Sequence, residues 1–239
     1  MFTNKKVIIF DMDGTLIDSI GIWNQVDCEL IYQLSGKRIA EEEIQKKRDE
    51  KLREYSKTEK PYIEYCKYLE RKYHSPLSEE AIHALRYEIA NELLIQQIDY
   101  KPYADAVIKH LKDKGYQLVI ATTTKKTNMD IYRMQNQNIC KKAKIDEYFS
   151  LVYTREDVKE MKPNPEIYQK VLETLQVEPE ECLVFEDSLI GVEAANRAHV
   201  EVVAVYDRYS DAQQAEIRKQ ATYYVKDYRE VLEALLYVN

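Results

Sequence analysis

Two aspartates separated by one residue, Asp11 and Asp13, follow directly on the apolar run Val7, Ile8, Ile9 and Phe10 in the stretch VIIFDMDGT. Aspartate and glycine are ordinary turn residues, so one reading is a strand that simply ends at the surface. The other starts from the lack of polar alternation, which suits a parallel strand covered on both faces. In open α/β sheets ligands sit beyond the carboxyl ends of such strands, where both carboxylates would then lie. Three further stretches offer complementary groups. Thr122, Thr123 and Thr124 follow the apolar run 117–121 and supply hydroxyl and N–H donors for an anion, although a threonine there also serves as a cap or β-former. Lys162, in MKPNP, stands just before a proline and a helix start, where the ordinary alternative is a solvated charge. Glu186 and Asp187 close the run 182–185, and acidic residues at a strand end are unremarkable alone.

The elements that must position these groups alternate regularly after residue 98. Val107, Ile108 and Leu111 have helical spacing, and Gly115 supplies a left-handed stop before the strand 117–121. A polar helix over 128–138 and a short strand over 150–153 follow. Asn164 and Pro165 then open a helix over 166–175, with proline in the first turn where its missing N–H costs nothing. The strand 182–185 comes next, then a helix over 189–198 capped by Ser188, then the strand 201–205. This βαβαβαβ order implies a parallel sheet with helices on both faces. Residues 20–97 differ: they are rich in Lys, Glu, Arg and Tyr, have helical periodicity, and are punctuated by Pro61 and Pro76 into four expected helices.

Composition narrows the classes. A chain of 239 residues can bury a proper core as one large domain or two. Its formal net charge of −7 and pI near 5.3 argue against a general nucleic-acid binder, which needs a basic footprint. No run approaches the roughly 18 apolar residues of a membrane span. MFTNKK and four apolar residues are too short for a secretory leader, so the expectation is a soluble cytoplasmic protein. Cys28, Cys66, Cys140 and Cys182 lack any paired spacing and read as incidental thiols.

Taken together and in order, DxDGT, a strand followed by threonine, KPNP and a strand followed by EDSxxG resemble the haloacid dehalogenase superfamily. The resemblance covers Lys5–Ser19 and roughly Tyr100–Val225; over the insert it is one of position and helical character only. It implies an α/β fold with a Rossmann-like parallel-sheet core, residues 1–18 and 98–239, carrying an inserted α-helical cap domain, residues 19–97. It further implies that Asp11 is a nucleophile forming an aspartyl phosphate and Asp13 the acid/base for the leaving oxygen. Thr122 and Lys162 would hold the remaining phosphoryl oxygens. Mg²⁺ would be held by Asp11, the backbone carbonyl of Asp13 and Asp187, with Glu186 as a further contact. Gly14 lets the chain turn after Asp13, and Gly191 would allow close helix packing below Asp187.

The presence of Asp13 counts against dehalogenation, and the helical insert resembles the cap of a subfamily containing sugar-phosphate phosphatases, phosphoglycolate phosphatase and β-phosphoglucomutase. The resulting expectation is a magnesium-dependent phosphatase of a small phosphorylated metabolite, a sugar or polyol phosphate, without nucleic-acid or membrane partners; the sequence leaves the oligomeric state open, a monomer being favoured. A phosphomutase is the alternative, and a catalytically silent binding protein the third reading. The candidate substrate-binding residues are Ser19, Trp23, Thr123, Thr124 and Lys125. Trp23 stands where the mutase carries histidine, which disfavours that reading, whereas Thr124 and Lys125 fall where the mutase contacts its second phosphate. A basic start to a solvated helix explains Lys125 equally well. Lys46, Lys47, Arg48, Lys51 and Arg53 alternate with acids and read as an exposed, ion-paired face.

Overall fold

The computed structural model describes residues 1–55 and 58–236. It divides into two compact units, one formed by Met1–Ile20 with the chain from Gln97 onward, the other by Gly21–Gln96. These borders lie one or two residues from the expected 18/19 and 97/98.

The first unit is built on a six-stranded parallel sheet in the order β3-β2-β1-β4-β5-β6, with β1 Val7–Phe10, β2 Gln117–Ala121, β3 Leu151–Tyr153, β4 Cys182–Glu186, β5 Glu201–Val205 and β6 Tyr223–Val225. Strand β1 is wholly buried, as its unbroken apolar run requires. Truncating such a side chain, Ile9 for instance, costs about 2–5 kcal/mol in a close-packed core. Register then sets function: Phe10 lies opposite Ile120 on one side and Phe185 on the other. One residue further along, all three central strands run out together at the same edge. Asp11, the threonines after Ala121, and Glu186 with Asp187 are thereby delivered to one place by backbone pairing alone.

The helices of this unit are α5 Ala104–Asp113, α6 Lys126–Met134, α7 Gln137–Lys142, α8 Ile145–Tyr148, α9 Glu166–Leu175, α10 Leu189–Arg197, α11 Gln214–Gln220 and α12 Tyr228–Leu236, the numbering leaving α1 to α4 for the second unit. Gly115 takes the left-handed conformation, φ +85°, after α5. At the start of α9 the side chain of Asn164 accepts from the Glu166 N–H at 3.0 Å, and Ser188 caps α10 by accepting from the Gly191 N–H at 3.1 Å. The polar helix expected over 128–138 is instead two helices. Buried Asn136 breaks it by accepting from the Ile139 N–H at 2.9 Å, a side-chain cap that outcompetes continuation of α6. The strand expected over 182–185 runs one residue longer, so Glu186 ends β4 and Asp187 is the first residue beyond it.

The second unit comprises α1 Ile22–Ser35, α2 Glu41–Glu54, α3 Pro61–Tyr73 and α4 Glu79–Gln96, packed around Val26, Leu30, Ile44, Tyr65, Leu69 and Ile82. Within this apolar core Asp27 is fully buried and accepts from Arg86 at 2.6 Å and from Arg48 at 2.8 Å. Arg48 therefore departs from the exposed face expected of it: the helix turns it inward to a carboxylate on α1, while Lys47 and Lys51 pair locally with Glu50 and Glu54. Trp23 and Tyr62 bracket the Arg86 guanidinium, with ring centroids 4.9 and 5.0 Å away. Among the described residues no helix is long and apolar enough to cross a membrane.

Candidate active site

Asp11 is the first residue after β1, and its N–H donates to the carbonyl of Phe185 at 3.0 Å, which continues the sheet ladder one step past the strand. Its carboxylate, on a residue 7% exposed overall, meets the ammonium of Lys162 at 2.6 Å. The ammonium also donates to Glu186 Oε1 at 2.6 Å and to the Ala121 carbonyl at 2.9 Å, so one buried lysine ties the ends of β1, β2 and β4 together. Burial alone would lower the basicity of Lys162, but Asp11 and Glu186 overcome it and hold the ammonium charged well above its usual range.

Glu186 is the most heavily engaged carboxylate. Beside Lys162 it accepts from the Tyr168 hydroxyl at 3.0 Å, from the Asp187 N–H at 3.1 Å and from the Ser188 hydroxyl at 3.1 Å. Gly191 makes this arrangement possible, because a Cβ there would land inside the Glu186 carboxylate. The room that Gly191 provides is thus for Glu186, one residue from the Asp187 expected at that place. Asp187 accepts from the Thr15 hydroxyl at 2.6 Å, and its other oxygen lies 2.5 Å from where a Cβ on residue 14 would sit. Gly14, at φ +80°, is required there both for conformation and for space.

Asp11, Glu186 and Asp187 each place a carboxylate oxygen within 4.8 Å of the others, and the Lys162 ammonium pairs with two of them, Asp11 and Glu186. Burial, together with the neighbouring carboxylates and against the pull of Lys162, pushes Asp11 up to about 7. Burial, then Glu186 and Asp11, raises Asp187 well above the usual carboxylate range. This surplus of buried negative charge, offered entirely through oxygen atoms, fits a hard divalent cation such as Mg²⁺.

Asp13 is held differently. Its carboxylate accepts from the hydroxyls of Ser19 and Thr124 and, at 3.1 Å, from that of Tyr132. Burial first, then Asp13, keeps the Tyr132 phenol neutral and a donor. Thr122 lies at the end of β2, its hydroxyl 2.9 Å from that of Thr124 and accepting from the Thr124 N–H at 3.2 Å.

The structure therefore gathers Asp11, Asp13, Ser19, Thr122, Thr124, Lys162, Glu186 and Asp187 in the α/β unit. Thr123 is half-buried in the same loop, and Lys125 is exposed at the start of α6. The expected second-phosphate role of Thr124 meets a competing demand, since its hydroxyl serves Asp13. Trp23 belongs to the helical unit, against Arg86. Sequence reasoning did not single out Thr15, Tyr132 or Tyr168. The signal for the tyrosines is a buried phenol on a helix, which needs a hydrogen-bond partner inside the fold.

Residues 5–199 match the family model for haloacid dehalogenase-like hydrolases. The chain is 30% identical over 213 residues to a phosphorylated carbohydrates phosphatase of Thermotoga maritima, covering 82% of either chain. Among solved structures it is similar to a putative β-phosphoglucomutase from Thermotoga maritima, at 27% identity and a TM-score of 0.73, over 98% of this chain and 100% of that one. It is also similar to CbbY from Rhodobacter sphaeroides in complex with phosphate, at 26% identity and a TM-score of 0.66, over 95% and 96% of the two chains.

Proposed function

This chain belongs to the haloacid dehalogenase-like hydrolases, and on that premise we propose that it is a magnesium-dependent phosphatase of small phosphorylated carbohydrates or polyols, working through a phosphoryl group carried on Asp11. The observation that carries the reading is the buried Asp11 carboxylate, 2.6 Å from Lys162 and beside Glu186 and Asp187, with Asp13 two residues on.

Asp11 attacks phosphorus; its new O–P bond forms as the ester P–O bond breaks. Asp13, entering as the acid, gives its proton to the leaving oxygen. In the second half Asp13 takes a proton from water as that water attacks the phosphoryl group, releasing phosphate and restoring Asp11. Such proton transfers contribute about 10²- to 10⁴-fold. Lys162 orients Asp11 and, with Thr122, faces the phosphoryl oxygens as charge spreads over them. Glu186 fixes Lys162 from behind, and Asp187 with Asp11 would hold the cation. That cation, when bound, supplies the positive charge that lets a carboxylate approach a phosphate.

The substrate class rests on the carbohydrate-phosphate activity in the name of the Thermotoga relative. The use of Thr124 on Asp13 and the exposure of Lys125 favour hydrolysis over a second phosphate-binding site, and so over the mutase. The test is phosphate release from a panel of sugar and polyol phosphates, with and without Mg²⁺, beside Asp11→Asn. Metal-dependent release lost in the variant is expected. Release that survives Asp11→Asn would overturn the assignment, and sugar-phosphate interconversion stimulated by a bisphosphate would replace it with the mutase.

A further inference from the structure

Three hydroxyls converge on one carboxylate, and they are not equivalent. On Asp13 Oδ1 sit Ser19, from the segment that follows the first motif, and Tyr132, from the second turn of α6. On Oδ2 sits Thr124, from the loop between β2 and α6 that also carries Thr122. Tyr132 is 1% exposed. Ser19 is likewise buried, at 2%. Thr124 belongs to the threonine loop where the proposed reading places the phosphoryl oxygens, and its hydroxyl contacts Thr122 as well as Asp13. Oδ1 of Asp13 is thus held by two buried side chains, Oδ2 by one hydroxyl of the loop that would meet the phosphoryl group.

Resting on the phosphatase reading, we infer that Tyr132 is a positioning residue for Asp13: with Ser19 it pins Oδ1, so that Oδ2 is the oxygen that passes the proton to the leaving group once the threonine loop turns to the phosphoryl oxygens. The transfer is a single proton from Asp13 Oδ2 to the ester oxygen, concerted with cleavage of the P–O bond and formation of the Asp11 O–P bond. Tyr132 itself neither gains nor loses a proton. A carboxyl group fixed at one oxygen has one rotational freedom removed, and orientation of a catalytic group to within a fraction of an ångström is worth a large factor in rate. Without the phenol, Asp13 keeps its chemistry but samples rotamers in which Oδ2 no longer faces the leaving oxygen.

The consequence depends on the leaving group. An alcohol leaves as an alkoxide unless protonated, and so needs the acid in place. A nitrophenol leaves readily as its anion and does not. The experiment is single-turnover release of the leaving group, with enzyme in excess, from glycerol phosphate and from p-nitrophenyl phosphate. It is run on the wild type, Tyr132→Phe, Ser19→Ala and Asp11→Asn, with melting temperatures recorded for each. Tyr132→Phe keeps the ring and its packing while removing the hydroxyl. It is expected to slow alkyl release by roughly tenfold while leaving aryl release within about twofold, and Ser19→Ala is expected to show the same selective loss. Equal slowing of both substrates by Tyr132→Phe, or no slowing of either, would overturn the inference. Failure of the underlying reading looks different: the wild type would then release neither leaving group, or Asp11→Asn would release both.

Discussion

Both units of the molecule bury charge, and they balance it in opposite ways. In the helical unit Asp27 is shared by Arg86 and Arg48; Arg48 also reaches Asp49 at 3.3 Å, and the Arg86 guanidinium is bracketed by Trp23 and Tyr62. Charge there is matched by charge, and the surrounding rings close it off. In the α/β unit three buried carboxylates cluster while the one buried ammonium pairs with only two of them, and burial together with this surplus pushes Asp11 up to about 7 and raises Asp187. A matched buried cluster is a structural tie. An unmatched one, at the carboxyl ends of parallel strands, is a place for a cation and an incoming anion. The difference teaches that burial of charge does not mark a site; the uncancelled remainder does.

The sharpest way to break this comparison is to neutralise one carboxylate in each unit. Asp11→Asn removes repulsion as well as the nucleophile, so it is expected to abolish turnover while the melting temperature holds or rises. Asp27→Asn does the reverse, leaving two guanidiniums without their partner. It should cost about 3–5 kcal/mol, as breakage of a buried pair does, and lower the melting temperature by roughly 10 °C at about 2–4 °C per kcal/mol. Melting curves of the two variants, beside phosphate release, check both. A stable Asp27→Asn would show that the helical cluster is no tie.

A second prediction concerns pH. Asp11 titrates near its ordinary value of 3.8 when unfolded and near 7 when folded, so between those values the native protein binds protons that the unfolded chain does not. Stability of the metal-free protein therefore falls as pH rises through that window, and Asp187, raised in the same direction, adds to the fall. Bound Mg²⁺ cancels the repulsion. Thermal shifts with and without magnesium should accordingly show a larger stabilisation at about pH 8 than at about pH 5. An equal shift at both would mean that the ion binds elsewhere.

A smaller effect is expected at Gly191. Gly191→Ala places a methyl where the Glu186 carboxylate lies, displacing the residue that holds Lys162 from behind. Turnover should fall by at least tenfold, with a loss of about 1–3 kcal/mol from overpacking; unchanged kinetics would show that Glu186 has room to move. The smallest effect is expected at Lys125, exposed at the start of α6. Lys125→Ala should leave kcat and KM within about twofold, as surface changes away from a site do. A large rise in KM would restore the second-phosphate role.

How much of this was legible before the fold was known follows from the same physics. Asp11 and Lys162 stand 151 residues apart in sequence, yet each sits in a short local pattern, an apolar run ending in acid or a lysine before proline and a helix start. Strand and helix periodicity then place those patterns at one sheet edge. Ser188 and Gly115 were legible as a cap and a stop because their effect is local. The contact of Tyr132 with Asp13, across 119 residues, and of Tyr168 with Glu186 leaves no trace in periodicity, since a buried tyrosine and a buried leucine serve a helix face alike. The inward turn of Arg48 was hidden for a like reason: its neighbours spell a solvated helix, and only packing against α1 reveals Asp27. Short β6 depends on its pairing with β5, and the side chain that splits the helix at Asn136 is also held by the distant Ile98 carbonyl, to which it donates at 2.9 Å.

The central claim is that Asp11 carries the phosphoryl group, and acid quenching during turnover followed by borohydride reduction tests it most directly. An acyl phosphate is reduced where a free carboxylate is not, so residue 11 should appear as homoserine in the digested peptide, only with substrate and magnesium present and never in Asp11→Asn. Phosphate release without any reduction at residue 11, or with reduction at another carboxylate, would contradict the account.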